Sequence, residues 1–100
     1  MTAKQIIQTI STKSITNNTQ RVGRLLLLAN GEWQPRSTFT HRVSSAMARI
    51  RDLRKDEYGN FQVECKSSDE LNRKTSHKTF YYRIRPTTVK PTQVKTLFKV

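Results

Sequence analysis

Apolar residues recur along this chain with two different periods, and the change from one to the other divides it. Val22, Leu25, Leu26 and Ala29 fall three and four residues apart, the spacing of one helix face. Leu27 and Leu28 widen that face, which predicts a helix at the centre of the core. Asn17, Asn18 or Thr19 can cap its start and Gly31 can stop it. Glu32-Trp33-Gln34-Pro35 is then a short connection, with Pro35 suited to the first turn of a second, short helix over 36–41, anchored by Phe39. Trp33 is expected to pack against the first helix from a short strand, because its large apolar area favours the core over a base-stacking role. Val43, Ala46/Met47, Ile50 and Leu53 mark the apolar stripe of a third helix over 43–55. Its other side carries Ser44, Ser45, Arg49, Arg51 and Lys55.

Beyond Lys55 the period falls to two. Asp56 to Asn60 is a helix end, with Gly59 free to turn left-handed. Phe61, Val63 and Cys65 alternate with Gln62, Glu64 and Lys66, which predicts a half-buried strand with Cys65 as a small core residue. In a second strand Phe80, Tyr82 and Ile84 face one way and Thr79, Tyr81, Arg83 and Arg85 the other. Between the strands, Ser67 to Lys78 form a polar loop, and Pro86 ends the second strand. Two segments flank this body. The arm 1–17 holds Ile6, Ile7 and Ile10 at helical spacing, and the basic tail 87–100 holds Val94, Leu97 and Phe98. Such short segments dock on their own body, dock on a second subunit, or fray.

Charge narrows the partners. The 100 residues include 19 Lys or Arg against 7 Asp or Glu, a net charge of +12. That field attracts polyanions and opposes self-association, so a monomer is expected in free solution and any dimer only on DNA. One Cys suits a reducing cytoplasm, and the apolar run Leu25 to Ala29 is far too short to span a bilayer. A cytoplasmic protein with no membrane contact is expected, either on the nucleoid or in an infected host cell. Catalysis has little support. Cys65, His41 and His77 lack the paired spacing of a metal site, no Gly-rich phosphate loop occurs, and the carboxylates fall at solvated positions. Neither an enzyme nor a cofactor is expected.

The order helix, short helix, basic helix, strand, long basic loop, strand runs from about residue 19 to 85. With Ala48-Arg49-Ile50-Arg51-Asp52-Leu53-Arg54-Lys55 and Tyr58-Gly59 it resembles the winged helix-turn-helix family, in its small phage and mobile-element form. The resemblance implies an α+β fold over 18–86, three helices followed by a two-stranded hairpin wing. The third helix would enter the major groove, and the wing would touch the backbone or minor groove. Ser44, Ser45, Ala48 and Arg49 are then the candidate base readers, with Arg49 able to bond guanine O6 and N7 together. An ion pair of Arg49 with Asp52 or Glu32 is the competing reading. Arg36, Arg42, Arg51, Arg54 and Lys55 are candidate phosphate contacts, and Arg73, Lys74 and Lys78 are their counterparts in the wing. In the free protein the wing loop is expected either to be disordered or to make ordered contact. The function expected is sequence-selective binding of double-stranded DNA by a transcriptional regulator. The alternatives are a protein-interaction module that blocks or recruits a nucleic-acid enzyme, and an RNA-binding protein using the sheet face with Tyr81, Arg83 and Arg85.

Overall fold

The computed structural model describes residues 2–10 and 15–100; Met1 and positions 11–14 of the N-terminal arm lie outside the described residues. In chain order the elements are α1 (Ala3–Thr9), α2 (Asn18–Leu28), β1 (Gln34–Pro35), α3 (Arg36–Thr40), α4 (Ala46–Asp52), β2 (Val63–Ser67), β3 (Phe80–Ile84) and α5 (Pro91–Phe98). Among the described residues this is an α+β fold of five helices and one antiparallel sheet in the order β1-β3-β2.

Asn17 is the residue that caps α2. Its Oδ1 accepts from the Gln20 amide at 2.9 Å, and Gln20 Oε1 accepts from the Asn17 amide at 3.3 Å, a reciprocal capping pair. Val22, Leu26 and Leu27 are the buried apolar side chains of α2, whereas Leu25 is half-buried and Leu28 is 46% exposed. The helix is therefore rotated from the expected face, toward the side where Gly23 permits close approach. A Cβ at Gly23 would stand 2.5 Å from Leu97 Cδ2 and 3.2 Å from Leu53 Cδ2.

The third helix is shorter than the expected 43–55 and spans Ala46–Asp52. Val43 belongs to the turn that closes α3, where its amide donates to Phe39 O at 2.8 Å. Ser45 adopts a left-handed conformation (φ 54°), an abrupt entry that a glycine would ordinarily supply. The apolar stripe is as expected: Val43, Ala46, Ile50 and Leu53 are all buried. Past α4, Gly59 takes φ 110° and packs tightly against Phe61 and the Gln93 carbonyl.

The sheet has three strands rather than the two expected. Gln34 precedes a proline and is pushed into extended geometry, and Pro35 is tolerated on an edge strand. The pair aligns with Tyr82 and Tyr81 of β3. Strands β2 and β3 pair from Val63↔Ile84 to Ser67↔Phe80, so Val63, Cys65, Phe80, Tyr82 and Ile84 share the side that faces the helices. Phe39, fully buried, meets Tyr82 edge-on with centroids 6.1 Å apart, as a core anchor should. Cys65 is exposed, contrary to its expected core role. Phe80 on the same side is exposed too, although Ser67, its partner on β2, is buried.

Both flanking segments join the single core. Ile6 and Ile7 of α1 and Val94, Leu97 and Phe98 of α5 are buried on the chain's own body. Gln20, 1% exposed, donates to Leu97 O at 3.1 Å, and Gln93 donates to Gly59 O and Asn60 O at 3.0 and 3.1 Å. These bonds tie α5 to the start of α2 and to the turn after α4.

Candidate nucleic-acid interface

The turn between α3 and α4 sets the geometry of the candidate site. Because Val43, Ala46 and Ile50 point inward, Ser44 and Ser45 stand exposed and Ala48 half-exposed on the outer side. They line a depression of about 440 Å³ together with Arg36 and Thr40 of α3. A second depression, of about 180 Å³, adjoins it at Val43 and is lined by Arg21, Arg24 and Leu25 of α2 and by Arg42. A third, of about 320 Å³, adjoins it at Arg36 and Thr40 and reaches Lys78, Thr79 and Phe80 at the start of β3.

The three share lining residues, Val43 on one side and Arg36 and Thr40 on the other, and together mark a track over α2, the α3–α4 turn and the start of β3. Five cations line it: Arg21, Arg24, Arg36, Arg42 and Lys78. None of the chain's seven acidic residues does. Arg24 Nε is buried and has no hydrogen-bond partner among the described residues. A buried cationic donor in that state favours an anion beside it.

Several candidates lie away from the track. Arg49 Nε sits 3.3 Å from Asp52 Oδ2, off the line of a good hydrogen bond. Of the two readings of this side chain, the pair with Asp52 is the one present. Lys55 Nζ lies 3.1 Å from the same carboxylate, and Thr19 donates to it at 3.5 Å. Arg54 donates to Val63 O at 2.9 Å and so braces α4 against β2. Arg73 has its guanidinium 4.7 Å from the Tyr81 ring centroid, on the outer side of the sheet. Arg51 and Lys74 are exposed but line none of the three depressions.

The loop between β2 and β3 is closed at its base by hydrogen bonds. The Ser68 amide donates to Thr79 O at 2.7 Å, the Thr79 amide to Ser68 Oγ at 3.2 Å, and the Arg73 amide to Ser68 O at 2.9 Å. Glu70 accepts from the Ser67 amide at 3.0 Å, and that bond, with the Ser67 hydroxyl, holds its carboxyl below the usual range.

On the outer side of the sheet the charges are paired. Glu64 bonds Arg85 and Arg83, and its carboxyl is held low by Arg85 first, then Arg83, against a partial opposing effect of burial. Tyr81, expected to point out as part of a cationic row, is only 7% exposed beneath Arg73. Trp33, expected against the first helix, instead lies 4.3 Å from the Arg83 guanidinium and 6.0 Å from Lys66 Nζ. Cation–π contact with two side chains of the sheet accounts for that placement.

Arg21, Arg24 and Phe80 are members of the track that the sequence reading passed over. The two arginines stand three apart on α2, a spacing that puts both on one helix face, and this was the available signal. Phe80 carried none, since its alternation with Tyr82 and Ile84 reads as core. Among the described residues, no helix is long and apolar enough to cross a membrane. No known protein family, curated protein sequence or solved structure matches the chain.

Proposed function

We propose that this protein binds double-stranded DNA as a winged helix-turn-helix protein of the small phage or mobile-element type, and acts as a transcriptional regulator. The observation that carries the reading is the acid-free cationic track, with the start of α4 at its middle. Helix, short helix, α4 and hairpin also follow one another in the order the family resemblance calls for.

In this reading the exposed edge of the α3–α4 turn enters the major groove. The Ser44 and Ser45 hydroxyls meet base edges as permissive readers, and the Ala48 methyl meets a thymine methyl. Arg21, Arg24, Arg36, Arg42 and Lys78 neutralise phosphates on either side, which fixes register without reading sequence. Arg49 serves with Asp52 to hold α4 against Thr19 of α2 and does not read bases. The protein is a monomer in free solution, because its two apolar flanking segments are already buried on its own body and its charge of +12 opposes pairing.

Selection of preferred sites from random duplex DNA, followed by binding of variants, tests the assignment. Ser44→Ala combined with Ser45→Gly is expected to relax site preference. Arg36→Ala is expected to weaken all duplexes evenly, and Arg49→Ala to leave the preference in place. A preference that survives the serine changes and disappears with Arg49→Ala would return the reading role to Arg49.

A further inference from the structure

We infer that the wing end of the track receives an unpaired or turned-out nucleobase stacked on Phe80, so that the protein prefers DNA carrying such a base to plain duplex. The inference rests on the nucleic-acid reading above and specifies the form of DNA that the same surface takes. Phe80 is 41% exposed although it lies on the helix-facing side of the sheet. The cleft around it, of about 320 Å³, is otherwise lined by polar and cationic side chains: Arg36, Ser37, Thr40, Lys78 and Thr79. Lys78 Nζ stands 5.9 Å from the ring centroid, and Arg36 lies where this cleft joins the next depression of the track.

An aromatic face between cations, at the end of a cationic path, is the arrangement that holds a base by stacking and its flanking phosphates by charge. The stacking is sequence-tolerant, because every base presents a π face. The volume lies at the lower end of the roughly 300–1,000 Å³ of small-ligand clefts, which suits one base. A protein partner is the weaker fit. Interface anchors work within a desolvated apolar cluster, and among the described residues Phe80 is the only large apolar side chain lining this cleft.

The test compares two DNAs of equal length, one a plain duplex and one with a single-nucleotide bulge occupied by 2-aminopurine. The wild-type protein should bind the bulged DNA about tenfold more tightly and change its fluorescence as the base leaves its neighbours for the ring. Phe80→Ala should bring the affinity for bulged DNA down to that of the same variant for plain duplex and abolish the fluorescence change, and Phe80→Trp should keep both. Equal wild-type affinity for the two DNAs, or a preference that survives Phe80→Ala, would overturn the inference and leave the duplex reading standing. Failure to bind either DNA would remove both. Self-association of the free protein that Phe80→Ala abolishes would assign the ring to a second copy of the chain and overturn the inference.

Discussion

Gly23→Ala probes the packing that holds the track's elements together, and its effect should change sign with the residue opposite. A new Cβ would lie 2.5 Å from Leu97 Cδ2, and Leu97 is itself 1% exposed, so neither side chain has room to yield. Overpacking of this kind costs about 1–3 kcal/mol. Against it stands the helix preference of Ala over Gly, about 0.8–1.0 kcal/mol. The net expectation is a loss of about 1 kcal/mol, a fall of about 4–8 °C in Tm for a domain of this size. In a Leu97→Ala background only the 3.2 Å approach to Leu53 Cδ2 remains, and the same substitution should stabilise by up to about 1 kcal/mol. Leu97→Ala alone should cost about 2–5 kcal/mol. The pair therefore couples by about 2 kcal/mol, which thermal and urea unfolding followed by circular dichroism can measure in all four proteins. Equal effects of Gly23→Ala in both backgrounds would mean that α5 does not lie against α2, and the burial of the C-terminal segment would have to be abandoned.

Two further predictions concern charge and assembly. Glu64 is held below its ordinary value of 4.5 by Arg85 and then Arg83, so it stabilises the fold above that pH and stops doing so as pH falls through its lower folded pKa. Glu64→Gln should thus lower the urea midpoint at pH 6, with a gap to wild type that narrows as pH falls below 4.5; a gap unchanged by acid would refute the pairing. Sedimentation of the free protein at micromolar concentration should give a single species near 11.7 kDa. A stable dimer would contradict the burial of Ile6, Ile7, Leu97 and Phe98 on their own chain.

Periodic burial was the part of the fold written plainly along the chain. The stripe Val43, Ala46, Ile50 and Leu53 and the left-handed Gly59 depend on neighbours a few residues away and stand where pattern places them, whereas the strand alternation holds at Val63 and Ile84 but not at Cys65, Phe80 or Tyr81. What pattern missed depends on contacts distant in sequence. A two-residue strand such as β1 is too short to show a period, and it exists because β3 offers it a partner. Cys65 has the alternation of a core residue but lies exposed on β2, an edge strand of the sheet. Trp33 and Tyr81 are covered by Arg83 and Arg73, cations that spacing alone cannot assign to a ring. The candidate site divides in the same way. The exposure of Ser44, Ser45 and Ala48 follows from the phase of one helix, whereas Arg49 is drawn aside by a carboxylate that also meets Thr19, and Arg21 and Arg24 join the track only because α2 lies beside the α3–α4 turn.

The salt dependence of duplex binding tests the track as a nucleic-acid surface most directly. If its five cations each neutralise a phosphate, log affinity should fall against log salt with a slope of about −4 to −5. Replacing Arg21 and Arg24 together by Ala should make the slope shallower by about 2, whereas Arg73→Ala, on the outer side of the sheet, should leave it in place. A wild-type slope shallower than about −2, or one that the two α2 substitutions do not change, would contradict the account.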